Sequence, residues 1–263
     1  MDTNQQSIKA FFDNIPLLHT WDGGNSWNTG GFKSVQLNYF LDLAESISDC
    51  EVIETGSGNS TISFLLANPK KLVSISPQSD LWLRIKNYCE KNMISMKNLE
   101  SVIGKSEWEL PKFASEKNEY DIGLMDGCHG WPTTFIDLYY IYYMLRIDGY
   151  LIIDDIQLHS VKEIANFLIS ESTKFELVAN FGKTLVFKKL THDLELGEWN
   201  HQKYIIDKTN EARESGNEFV LHKVASRDAR NLKKGWRLIG NLLIFVMRAC
   251  NWTLLRIRNS SVS

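Results

Sequence analysis

Between residues 34 and 190 the chain changes its apolar period every few residues, and this alternation limits its fold more than any other feature. SVQLNYFLDLAESI spaces its apolar side chains as a helix does, and CEVIET after it is a short β-branched run. STISFLLA returns to helical spacing, KLVSIS to a strand, and DLWLRIKNYCEKN to a helix. LESVI and YDIGLM read as strands, TTFIDLYYIYYML as a long helix, GYLIID as a strand and SVKEIANFLI as a helix. FELVAN and TLVFKKL close the series, with Phe181-Gly182-Lys183 as the turn between them. Strands that alternate with helices predict an α/β three-layer sandwich, a mostly parallel sheet covered on both faces. The tight turn at the end predicts one antiparallel strand at the sheet edge. Ligands of such sheets gather at the carboxyl ends of the strands. The chemistry-bearing residues fall there: Glu54 to Gly58, Ser76, Gly104 to Ser106, Asp126 to His129, and Asp154 with Asp155.

At 263 residues the chain can bury a full core, and the net charge of −3 gives no electrostatic reason to expect nucleic acid as a partner. The charge is uneven, however. From Lys223 onward there are nine basic residues and one acid, Asp228, which sets a basic tail against an acidic body. Cys50, Cys89, Cys128 and Cys250 have no paired spacing for disulfides or zinc, so a reducing, cytoplasmic setting is expected. MDTNQQSIKAFF lacks the pattern of a secretory signal, and no run of about 20 apolar residues predicts a membrane span.

EVIETGSGNS, residues 51–60, places Gly56 and Gly58 between a predicted strand and a predicted helix, the context of a ligand-holding loop. A G-x-G pair by itself is equally compatible with a plain turn. Thr61 stands where a third glycine would complete the dinucleotide pattern, and no acid ends the second strand. Both facts count against a nicotinamide-dependent oxidoreductase.

Taken together, VIETGSGNST, LMDGCHGWP and LRIDGYLIIDDI resemble, in order and spacing, the class I S-adenosylmethionine-dependent methyltransferases. The similarity covers roughly residues 29–189 and is greatest to the branch of bacterial small-molecule O-methyltransferases. It implies a Rossmann-like, doubly wound domain with S-adenosyl-L-methionine as cofactor. By that resemblance Glu54, Gly56, Ser57 and Gly58 would hold the methionine part. The residues after the third strand, with Ser106, would contact adenine, and Thr29 and Gly30 would touch the cofactor from a segment folded over it. Trp21 and Trp27 could line the acceptor pocket or pack on the core. One departure stands out: Ser76 occupies the place of the acid that usually takes the ribose hydroxyls. Asp80 could substitute, although a role near a helix start is the simpler reading. Ser106 with Glu109 also fits a capping box, and Trp108 fits either adenine stacking or the core.

Asp126, Asp154 and Asp155 end adjacent strands, so three carboxylates converge on one rim. They repel unless a cation or protons intervene, and hard oxygen ligands suit Mg2+ or another divalent cation. Capping of turns is the competing role for Asp126 and Asp154. The resemblance includes metal-dependent members, macrolide-sugar and catechol O-methyltransferases among them, whose ligands come from these strand ends. His129 is near enough to Asp126 to take the acceptor's proton, or else to brace the loop. The other histidines read as surface or structural, with His159 alone among them near the pocket.

KKGWRLIGNLLIFVMRACNWTLLRIR, residues 233–258, is basic and apolar, but its uninterrupted apolar run is too short to span a bilayer and Arg248 would sit inside any span. It suits either attachment to an anionic inner membrane surface or the interface of a homo-oligomer. The expected organisation is a cap segment at 1–33, the Rossmann-like domain at 34–190 and an extension at 191–263, polar and irregular up to residue 222. The expected function is methyl transfer to a hydroxyl of a small molecule, sugar or lipid-linked glycan. The alternative is a non-catalytic protein of the same fold that serves as a membrane-associated assembly module.

Overall fold

A computed structural model describes residues 3–19 and 31–215. The expectations for Trp21, Trp27, Thr29, Gly30 and the segment 233–258 lie outside the described residues. The elements run α1 (Thr3–Asp13), α2 (Ser34–Glu45), β1 (Glu51–Thr55), α3 (Asn59–Leu66), β2 (Lys71–Ser76), α4 (Ser79–Lys91), β3 (Leu99–Ile103) and α5 (Ser106–Ser115). They continue with β4 (Tyr120–Met125), α6 (Thr133–Met144), β5 (Leu145–Ile153), α7 (His159–Ser170), β6 (Phe175–Asn180), β7 (Leu185–Lys189) and α8 (Lys203–Glu214).

The seven strands form one sheet in the order β3-β2-β1-β4-β5-β7-β6. β1 pairs parallel with β2 on one side and β4 on the other, so the chain reverses its winding direction between β1 and β4. That reversal leaves a crevice at the carboxyl ends of the two strands. β7 is the antiparallel strand, but it pairs with both β5 and β6, which puts it one place in from the edge. The helical crossover through α7 sets β6 down one place away from β5, and the hairpin then returns β7 into the gap.

β1 is buried on both faces. Val52 belongs to an apolar layer with Phe40 and Phe64 beneath α2 and α3, and its neighbour Ile53 to a second layer with Ile141 and Leu168 beneath α6 and α7. Lys189 is 1% exposed at the amino-end pole of the sheet. Its Nζ donates to the carbonyls of Tyr142 (3.1 Å) and Leu145 (2.8 Å), which satisfies the end of α6, and burial lowers its pKa to about 8.

Two segments are more ordered than their sequences suggest. α1, within the expected cap segment, buries Phe11 and is tied by Asn4 Nδ2 to the carbonyl of Leu66 (3.3 Å) and by Ser7 Oγ to that of Asn92 (2.8 Å). Residues 191–222 were expected to be irregular, yet they contain a 3-10 turn at Trp199–His201 and the helix α8. No residue of α8 is buried, so there is no apolar face to betray it. Its start is fixed by Tyr204, whose N–H donates to Glu171 Oε1 (3.0 Å) and whose hydroxyl donates to Glu163. The compact unit that carries the sheet ends at Asp207. Among the described residues no helix is long and apolar enough to cross a membrane.

Candidate functional site

A cleft of about 300 Å3 opens at the crevice between β1 and β4. Gly56, Ser57, Ser76, Ser106, Asp126, His129, Asp154 and Asp155 all line it, so eight of the sequence-selected residues meet in one place. A wider groove of about 760 Å3 between α1 and α2 carries none of the strand-end groups.

The two loop glycines are held close by protein contacts, tightly at Gly56 and more loosely at Gly58. Gly56 has φ +83°, and a Cβ there would lie 2.0 Å from the carbonyl oxygen of Asp126. The contact is built into the sheet, because Asp126 N–H donates to the Thr55 carbonyl (2.9 Å) and Gly56 N–H to that of Ile75 (3.0 Å). At Gly58 a Cβ would lie 3.0 Å from His19 Nε2. Gly58 itself is not part of the cleft wall.

Glu54 differs from expectation. It is fully buried and does not line the cleft; its carboxylate accepts from Ser60 Oγ (2.8 Å), Ser74 Oγ (2.5 Å) and Thr61 Oγ1. Thr61 Oγ1 in turn accepts from the N–H of Gly58 (2.9 Å). Glu54 therefore braces the loop from behind. Burial raises its pKa to about 7, against the three hydroxyl donors that favour the ionised form.

At the end of β2, Ser76 is buried in the cleft wall, followed by Pro77 and Gln78. Asp80 does not take the missing acid's place: it is exposed and paired with Arg84 at 2.7 Å. At α5 the N-cap is Lys105, so Ser106 is the first helical residue and the expected capping box does not form. Glu109 instead packs against Gly104, and the Ser106 hydroxyl faces the buried carboxyl of Asp137, whose pKa burial raises to about 6. Trp108 is 68% exposed, neither core nor cleft.

The acidic rim is arranged differently from the predicted triad of aspartates. Ligand atoms of Asp126, His129 and Asp155 lie within 4.8 Å of one another. His129 Nε2 is 3.6 Å from Asp126 Oδ1 and 3.3 Å from Asp155 Oδ2. Asp155 reaches this position because its backbone is left-handed, with φ +58°. Asp154 stands apart and accepts from Thr184 Oγ1, which itself accepts from Gln36 Nε2 (2.5 Å). A set of two carboxylates and an imidazole fits a divalent cation, with His129 replacing Asp154 as the third ligand.

The same geometry sets the charge state of His129, the residue expected as a base. Burial disfavours its charge, but hydrogen bonds and the charges of Asp126 and Asp155 prevail and raise its pKa to about 10. Without a cation it already carries a proton near neutral pH. Burial raises the pKa of Asp126, and burial followed by the Asp126 charge raises that of Asp154 to about 7. Hydrogen bonding from His129 lowers that of Asp155.

The cleft also contains residues that sequence reasoning passed over. Gln78, Cys128, Gln157 and Lys183 line it, as does His19, read from sequence as surface or structural. Cys128 and Lys183 sit in loops already marked, beside Asp126 and Gly182. His19 lies outside the alternating region, and no spacing connects it to the glycine loop. His159 begins α7 and does not line the cleft.

No protein-family model matches the chain, and no curated protein matches it. Solved structures do. An O-methyltransferase from Bacillus cereus in complex with SAH (S-adenosylhomocysteine) is 12% identical, covering 73% of this chain and 91% of that one, with a TM-score of 0.52. The O-methyltransferase TomG from Streptomyces achromogenes, involved in tomaymycin synthesis and in complex with SAM (S-adenosylmethionine), is 14% identical, covering 73% and 91%, with a TM-score of 0.50. At such identities the likeness is one of architecture. The chain has the Rossmann-like fold of the class I S-adenosylmethionine-dependent methyltransferases.

Proposed function

We propose that the protein is an S-adenosylmethionine-dependent O-methyltransferase that acts on a hydroxyl of a small molecule, sugar or lipid-linked glycan. The observation that carries this reading is the convergence of half-buried carboxylates around the cleft at the β1–β4 crevice. Asp126 and Asp154 line it with His129 and Lys183 as the cationic side chains of the wall. A positively charged sulfonium relieves that repulsion.

The cofactor supplies an electrophilic methyl carbon. Gly56, Ser57 and the Asp126–Gly127 backbone form the floor on which its amino-acid end would rest. Ser76 and Gln78 offer neutral hydrogen bonds in place of the usual acid, and Ser106 lies towards the adenine side. Asp126, His129 and Asp155 would hold a divalent cation, which lowers the pKa of a bound hydroxyl. In that set His129 would be a neutral ligand, which requires loss of its imidazolium proton. In a metal-free cleft the acceptor's proton would pass to a rim carboxylate, Asp126 or Asp154, since Asp126 favours the protonated form of His129 and both acids hold raised pKa values themselves.

The test is a methyl-transfer assay with labelled cofactor against hydroxylated acceptors, with and without chelator. Turnover that chelator abolishes supports the full reading; turnover indifferent to chelator removes the metal. The second reading, a non-catalytic member of the fold, is favoured by the neutral Ser76 and by the commitment of Asp80 to Arg84. Failure of the wild-type protein to bind either S-adenosylmethionine or its demethylated product would establish that alternative. Attachment of residues 233–258 to an anionic membrane surface belongs to both readings, and liposome sedimentation with and without that segment tests it.

A further inference from the structure

We propose that His19 is a cofactor-contacting residue that closes the open side of the glycine loop. The proposal rests on the reading of the cleft as an S-adenosylmethionine site. His19 precedes the alternating domain by many residues, yet it lines the cleft together with Gly56 and Ser57. Three features of the structure put it there.

The first is anchoring. Asn59, the opening residue of α3, donates from Nδ2 to the Pro16 carbonyl (3.1 Å), and Arg84 on α4 donates from Nε to the Leu18 carbonyl. The Leu18 side chain is buried in the core. The backbone on the amino-terminal side of His19 is thus tied to both helices that flank the loop, so little ordering remains for a ligand to impose.

The second is fit. The φ of 163° at Gly58 is extended backbone, open to any residue, so conformation does not demand glycine there. What favours it is the imidazole, whose Nε2 stands 3.0 Å from the place a Cβ would take, so a side chain there would push the ring by a few tenths of an ångström. Loop and ring are shaped to each other. The third is charge. Burial, and then the nearby Arg84, hold the His19 pKa below its usual value, so a neutral ring faces the cleft. A neutral imidazole nitrogen pairs with a donor or an acceptor according to its tautomer, and the ring adds no repulsion towards a cationic ligand. The matching ligand chemistry is the amino-acid end of the cofactor, which offers both an ammonium and a carboxylate.

The experiment is calorimetric titration of the full chain with S-adenosylhomocysteine, for wild type, His19→Ala, His19→Gln, Gly58→Ala and the His19→Ala/Gly58→Ala double variant. Loss of the ring is expected to weaken binding about tenfold with the thermal midpoint nearly unchanged, and His19→Gln to restore part of the loss. Gly58→Ala should weaken binding in the wild-type background and do so less where the ring is gone. The imidazole resonances of His19, assigned by their loss in His19→Gln, should shift when the ligand is added. Wild-type binding with no change in His19→Ala and no shift of the His19 resonances overturns this proposal and leaves the reading of the cleft intact. Wild-type protein that binds no S-adenosylhomocysteine overturns both.

Discussion

The two ends of the β-sheet treat their carboxylates in opposite ways. At the amino-end rim, Glu51 pairs with Lys70 (2.5 Å) and Arg146 (3.2 Å), and Arg146 also reaches Asp121 (2.8 Å) and Glu119 (3.6 Å). Asp121 additionally accepts from the backbone N–H of Glu51 (2.8 Å). Burial opposes the Glu51 charge, but Lys70 and Arg146 prevail and lower its pKa. At the carboxyl-end rim the pKa values of Asp126 and Asp154 are raised instead, and of these two only Asp126 has His129 as an ion-pair partner. One rim is neutralised from within the chain. The other holds charge that a ligand would complete, which is how a site differs from a brace.

The largest effect expected from disturbing this contrast is at Gly56, where the carboxyl-end rim is assembled. Gly56→Ala drives a Cβ into the Asp126 carbonyl at a left-handed φ, so a loss of about 3 kcal/mol or more is expected, with cofactor binding abolished. Chemical denaturation measures the first and calorimetry the second. A variant as stable as wild type would mean that the two loops are not in contact.

Arg146→Met should cost about 2 kcal/mol, since it leaves Asp121 without a cation and Glu51 with Lys70 alone. Affinity for S-adenosylhomocysteine should not change, because the amino-end rim only braces. A parallel fall in affinity would join the two rims and end the distinction.

Asp154→Asn should act in the opposite direction. It keeps an acceptor for Thr184 while it removes a charge, so the ligand-free protein should gain on the order of 2 kcal/mol near neutral pH while methyl transfer slows. The gain has a defined pH window. A carboxyl whose pKa is raised by folding stays protonated in the native state after the unfolded chain has released its proton, so wild-type stability falls as pH rises from about 4 to 7. The advantage of the variant should therefore open above pH 4 and level off above about 7. Glu51 has the reverse sense: its lowered pKa gives stability that is present above the unfolded value and lost as pH falls through the folded one. Denaturation series across pH 3 to 8 separate the two.

The smallest effect is expected at Ser76. Ser76→Asp restores a charged acceptor at the end of β2 and should tighten cofactor binding by about 1 kcal/mol. Unchanged affinity would place the ribose elsewhere.

Most of the sheet is legible in the sequence because parallel strands buried on both faces must be short apolar runs, as VIET and DIGLM are. The rim residues are legible for a related reason, since polar groups that follow such runs have only the strand ends to occupy. Side-chain direction is harder to read. Glu54 lies two residues after Val52 and so points to the same face, beneath α3, where Ser60, Thr61 and Ser74 receive it. Those three hydroxyls were a usable signal. That His129, and not Asp154, stands with Asp126 and Asp155 depends on the left-handed turn at Asp155, which no residue pattern announces. α8 has no buried face, and the place of His19 follows from two side-chain tethers that join distant helices.

The central question is whether the carboxyl-end rim takes a cationic sulfonium cofactor through its acids. The decisive measurement is equilibrium dialysis of labelled S-adenosylmethionine with wild type and Asp126→Asn, with a nicotinamide dinucleotide in a parallel cell. One cofactor molecule per wild-type chain, affinity reduced in Asp126→Asn, and no dinucleotide retained is the predicted result. No cofactor retained by the wild type, equal retention by the variant, or retention of the dinucleotide instead would contradict it.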